Sequence, residues 1–309
     1  MSGIPEIDFL LAAGLVVVVP LALSMFRWID PQAERLRSLG AKAAPYAGVA
    51  ASIPLAAGGA RDFGALLSAP WLAMSVIVGI SAAAELIRTK PSGVEPYLPL
   101  AACAHLVAGA VWLLFHQASL RPMNAPAELV EVTAVHFNFA GVATPVLAYH
   151  ASRWLRALPG RWDRLAAYAG FAVALSMVMI AAGVGGSALM ELEGSILMGL
   201  SLVAIAAGTT LIAFRLPPLA RLLLLISSVA VWISMVLAVQ YAFGQYTVSG
   251  DVSVRDMAQA HGVLTLIFAV CGLLGWRTAA KRSTLREPTP AHPADDGDQR
   301  APAEPADQS

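Results

Sequence analysis

With 309 residues, 58% of them hydrophobic and only 13% charged, the chain lies far from a soluble protein, where those shares are about 45–50% and about 25%. Apolar runs of about 20 residues recur, each long enough to cross a hydrocarbon core of about 30 Å as a helix. The runs are continuous rather than alternating, which speaks against spanning strands; the formal net charge of zero says nothing about partners, because the charges are segregated by side of the membrane, and no nucleic-acid partner is expected.

The expected fold class is therefore all-α, a polytopic helical membrane bundle in the cell membrane, with the lipid bilayer as its surroundings. Nine transmembrane helices are predicted. The first five run from Ile7 to Phe26, Ala43 to Gly58, Leu66 to Leu86, Tyr97 to His116 and Val132 to Tyr149. The other four run from Leu165 to Gly183, Ile196 to Phe214, Leu219 to Tyr241 and Ala258 to Trp276. Glu6 and Asp8 stand where a secretory signal carries basic residues, so the first run reads as a retained helix. The second is short, rich in alanine and carries Pro45 and Pro54.

Charge supports the second crossing. Nine spans leave 17 of the 20 Lys and Arg on one side, against Arg61, Arg121 and Arg255 on the other; without span two the split falls to 13 against 7. Lys and Arg collect on the cytoplasmic side, which predicts an outer N-terminus and a cytoplasmic C-terminus. Residues 1–280 form the membrane domain, and 281–309, rich in Pro, Ala and Asp, read as a disordered cytoplasmic tail that includes His292. Cys103 and Cys271 lie in apolar runs, with no CxxC, and no P-loop or GxGxxG occurs. They read as buried apolar side chains, and nucleotide-driven pumping is not indicated.

The histidines carry the chemistry. An ionisable group inside a bilayer is costly and faces a bundle interior, a cavity or a bound group. On this topology His105 lies mid-membrane in span four. His116 lies eleven residues on, near the outer surface and on the same face as Trp112. His136 sits about 6 Å below the outer boundary of span five, and His261 at a similar depth in span nine. Glu131 precedes His136 by five residues and Asp256 precedes His261 by five; a carboxylate can orient an imidazole and raise its basicity. Thr133, His136, Ala140 and Thr144 form one stripe, and Pro145 leaves the Gly141 carbonyl without its helical donor, which predicts a kink there. Thr265 lies one turn below His261, and Gly262 permits a close helix approach. His150 with Tyr149 reads as an interfacial anchor, and Glu85 near Arg88 as a paired or snorkelling surface acid.

VHFNFAG, Val135 to Gly141, and HGVLTLIFAVCGLLGW, His261 to Trp276, resemble the YndJ family of bacterial multi-pass membrane proteins. The family pattern has a span with His followed by an aromatic and a small pair. A late HG-x-x-N segment then ends in Gly-Leu-x-Gly-Trp. His261, Gly262, Gly272, Leu273, Gly275 and Trp276 match it, with Thr265 standing where the pattern has Asn. The resemblance implies membrane placement and attention to the two histidines; such proteins are commonly labelled transporters.

Three functions fit these residues. The first is a transporter or permease whose outer-half polar site comprises His136, His261, Glu131, Asp256, His105 and Thr265. Histidine titrates near neutral pH, so a proton can accompany a small solute there. No span shows the paired Gly/Pro interruptions of many secondary transporters. The second is a redox protein holding haem or copper through His136 and His261, with His105 or His116 as a third ligand. The third is a non-catalytic scaffold or assembly factor. No catalytic residue is assigned, and no oligomeric state follows.

Overall fold

The computed structural model describes residues 5–56, 61–184, 186–247 and 254–284; most of the C-terminal tail lies outside them. Helices succeed one another with no strand among the described residues. The first crossing is built from α1 (Pro5–Ala13), a π-helical turn (Gly14–Val18) and α2 (Val19–Leu23). There follow α3 (Pro31–Ala56), α4 (Arg61–Thr89) and α5 (Tyr97–Gln117), then α6 (Ala127–Asn138) and α7 (Ala140–Leu155), which together form one crossing. The bundle is completed by α8 (Trp162–Val184), α9 (Ala188–Ala213), α10 (Pro218–Thr247) and α11 (Val254–Thr284).

Among the described residues, eight of these units are long and apolar enough to cross a membrane. Helix α3, 26 residues long with Pro45 and Pro54 inside it, is not one of the eight. It begins well before the expected Ala43, because Asp30 caps it: Asp30 Oδ1 accepts from the N–H groups of Gln32 (3.0 Å) and Ala33 (2.8 Å). The Ala33 N–H, helped by Arg88 at 2.9 Å, outweighs desolvation and holds the Asp30 carboxyl below its ordinary range. That contribution to stability is present above the ordinary carboxylate pKa and is lost as pH falls below it. Glu85 does not pair with Arg88. It is buried, and its two oxygens accept from the N–H groups of Ile29 (3.1 Å) and Asp30 (2.9 Å), tying the first connection to α4. His150 reaches the same connection through Nε2 and the Met25 carbonyl at 3.0 Å.

Two helices depart from regular α geometry inside the bundle. One departure is the π turn of the first crossing, with helical dihedrals on both flanks. The other is Phe139 (φ −110°, ψ −80°), which ends α6 and starts α7, six residues before Pro145. They meet: a Cβ placed on Gly14 would lie 3.1 Å from the Phe139 ring. The kink expected near Pro145 is thus displaced toward His136. The carbonyl that Pro145 leaves without a donor is satisfied instead by His105, whose Nδ1 lies 3.0 Å from the Gly141 oxygen.

At α3 a glycine has a direct packing cause. A Cβ on Gly48 would lie 2.5 Å from the Leu15 carbonyl oxygen, so α3 rests directly on the π turn. In the late motif, Gly272 and Gly275 admit Leu147 and Leu224, and Trp276 is buried against Trp154 with ring centres 6.1 Å apart.

Candidate functional site

His136 lies in the last turn of α6, one turn before the break, and His261 lies in α11. Their rings face each other with centres 6.1 Å apart and planes 21° from parallel. Nδ1 of His136 is 2.9 Å from the carbonyl of Val132, a group that can only accept, so Nδ1 carries the proton. Nδ1 of His261 donates to the Ser234 carbonyl at 3.0 Å, with Ser234 Oγ at 2.8 Å. The Ser234 hydroxyl is 2.9 Å from Thr265 Oγ1, and Thr265 donates to the His261 carbonyl at 2.8 Å. Every polar group in this buried set has a partner, which fixes the second ring firmly. Nε2 of both histidines is left as the lone-pair nitrogen, and neither makes a hydrogen bond among the described residues.

Small cavities flank the pair. One is bounded by Ala140, Thr144, Thr265 and Phe268, and Met177, Met198 and Met235 also line it. The second lies on the α1 side, against Leu10, Phe139 and Gly262. Each has room for one or two water-sized occupants. That is far short of a porphyrin, so the space around these histidines does not fit haem.

The residues of the VHFNFAG motif divide by task. Asn138, fully buried, accepts from Trp71 Nε1 at 3.0 Å and donates to the Ala134 carbonyl at 3.0 Å. Gly109 of α5 lets it approach, since a Cβ there would lie 2.8 Å from the Asn138 backbone nitrogen. Gly141 admits the His105 side chain. Of the predicted stripe, His136, Ala140 and Thr144 line the cavity, whereas Thr133 donates to the Leu129 carbonyl at 2.7 Å.

The structure thus brings together His136, His261 and Thr265. It separates the others. His105 is buried at the Gly141 carbonyl with Phe137 beside it, and it does not line the cavities. Glu131 is no partner of His136: five residues along a helix is about 140° of rotation, and Glu131 meets Asp8 and His116 instead. His116 therefore lies with those acids, apart from the other two histidines. The side chain of Asp256 lies outside the described residues. Sequence reasoning missed Ser234, the three methionines and Asn138, which look like ordinary helix residues, and it left Asp8 unconnected.

A purely structural role for His105 has a testable consequence. His105→Leu is expected to destabilise the fold by about 1 kcal/mol, the scale of one interhelical hydrogen bond in a membrane, while leaving the cavity intact. Denaturant titration of the purified variant measures the loss; unchanged stability would show that the Gly141 carbonyl does not depend on this ring.

The sequence pattern of the YndJ-like protein family matches residues 9–268. The chain is 24% identical over 211 residues to the uncharacterized membrane protein YndJ of Bacillus subtilis (strain 168). That alignment covers 67% of this chain but 37% of the relative, so the chain spans little more than a third of the relative's length. No solved structure matches it.

Proposed function

The chain belongs to the YndJ-like protein family of membrane proteins, and from that footing we propose that it is a permease in which His136 and His261 pass protons together with an ion-sized solute. One observation carries this reading. A helix broken at Phe139 meets a π turn of the first crossing beside a pair of imidazoles. Broken helices at membrane depth mark binding sites in many transporters, and π turns concentrate at functional positions. Each ring has Nδ1 anchored to a carbonyl and Nε2 open, the state from which an imidazole accepts and returns a proton. The cavity dimensions support water or a single ion as the traveller and argue against a bulky solute. The Lys and Arg distribution supports an outer N-terminus and a cytoplasmic C-terminus, which sets the pair in the outer half of the bilayer.

Vesicles reconstituted with the full chain test this. A pH gradient is imposed in the presence of potassium, ammonium, magnesium, phosphate or acetate, and internal pH is followed with a dye. Proton movement above protein-free vesicles with at least one of these ions, lost in His136→Ala, is the expected result. Movement that never exceeds the protein-free rate, or that survives His136→Ala, would leave the scaffold reading in its place.

The methionines favour one second reading, a copper site. Thioether and imidazole ligands together select Cu(I), and Met177, Met198 and Met235 share the cavity with both histidines. On this reading purified protein retains one equivalent of Cu(I) against a chromophoric chelator, and His261→Ala releases it. Equal retention by the variant would contradict it.

A further inference from the structure

At the end of the bundle where α1 and α6 begin and α5 ends, three side chains converge that are distant in sequence. Asp8, His116 and Glu131 each offer a ligand atom, and these atoms all lie within 4.8 Å of one another. They come from three helices, so no single helix's periodicity produces the cluster. A second observation points to a ligand: Glu131 is only 2% exposed, yet its Oε1 has no hydrogen-bond partner. The Asp8 and Glu131 carboxyl groups present oxygens within 4.8 Å of each other. Two ionised carboxylates this close repel each other, and a shared proton or a bound cation relieves that. Among the described residues no Lys or Arg pairs with either acid; the ion pairs are Arg37–Glu34, Arg88–Asp30 and Arg156–Glu95.

We propose that Asp8, His116 and Glu131 form a binding site for a divalent first-row transition-metal cation, separate from the His136–His261 pair. Two carboxylates neutralise a dication and satisfy the orphaned Oε1, which removes the cost of burying an unpaired acid. The imidazole sets the selectivity. A nitrogen donor suits zinc, manganese or iron, whereas magnesium and calcium take oxygen ligands. Asp8 is only partly buried, which leaves a route for the ion and for the water molecules that complete its coordination. Because the site joins α1 to α5 and α6, the bound ion clasps the first crossing to the helix that carries His136.

The test is calorimetric titration of EDTA-stripped, full-length protein in detergent with Zn2+, repeated with Mg2+ and Ca2+. Saturable Zn2+ binding is expected, weakened at least roughly tenfold in Glu131→Gln and in His116→Ala and retained in His136→Ala, with no comparable binding of Mg2+ or Ca2+. Asp8→Asn, at a less buried position, gives the same loss and serves if the Glu131 variant does not fold. Absence of saturable Zn2+ binding in the wild type would mean that the two acids share a proton, and would overturn the site. Zn2+ binding that survives in Asp8→Asn and His116→Ala would do so as well.

Discussion

His261→Ala is expected to reduce proton flux through reconstituted vesicles by on the order of 100-fold or more, the scale for loss of a positioned proton-transfer group. The loss should be functional rather than a collapse of the fold, because the cavity beside the ring already holds space and the neighbouring hydroxyls can bond each other. Ser234 and Thr265 already lie 2.9 Å apart. Ser234→Ala is the informative companion. It removes the hydroxyl 2.8 Å from Nδ1 but leaves the Ser234 carbonyl, 3.0 Å away, to hold the tautomer. Its flux should fall by roughly 10-fold, as expected for a group that orients another. Vesicle rates for the two variants, normalised to incorporated protein, make the comparison. Equal losses would mean that the hydroxyl and not the imidazole limits the rate.

The largest expected effect on stability lies away from the histidines, at Gly48. A methyl group there would sit 2.5 Å from the Leu15 carbonyl oxygen and 3.3 Å from the Trp71 ring. Neither can retreat easily, since the oxygen is backbone in the π turn and Trp71 is fully buried and bonded to Asn138. Overpacking of this kind costs about 1–3 kcal/mol, more than most of the ~1 kcal/mol of helix propensity that alanine gains over glycine. Gly48→Ala should therefore be destabilised in denaturant titration by up to about 2 kcal/mol, and the first crossing should shift relative to α3. Gly262→Ala gives the contrast. Its Cβ would meet the tip of Leu10, at 2.3 Å, a side chain that can rotate away. A milder cost is expected there, and a ranking in the opposite order would show that the π turn yields more readily than Leu10.

The helices were legible because twenty-residue apolar runs admit few alternatives in lipid. Where a helix is not apolar, the reading faltered: the first half of α3 carries Glu34, Arg35, Arg37 and Lys42, so only its second half read as a span. The breaks were hidden for a different reason. Phe139 is neither Gly nor Pro, and the π turn is spelled Gly-Leu-Val-Val-Val, an ordinary apolar stretch. Pro145 signalled a freed carbonyl correctly, but nothing in sequence could say that a histidine on another helix would satisfy it. His136 and His261 stood out because imidazole in a bilayer demands an explanation. Their partners did not, since serine and methionine are common in helices of any kind. For Glu131, the i,i+5 offset from His136 already meant that an acid–imidazole contact would cross between helices; which imidazole it meets was not legible, because Asp8 and His116 lie 123 and 15 residues away.

The central claim is that His136 and His261 act as one unit. Vesicle proton flux measured in His136→Ala, in His261→Ala and in the double variant tests it most directly. Residues that work together are not additive, so the double variant should be no slower than the slower single variant. A double loss equal to the product of the two single losses would contradict the account, because the two imidazoles would then be acting independently.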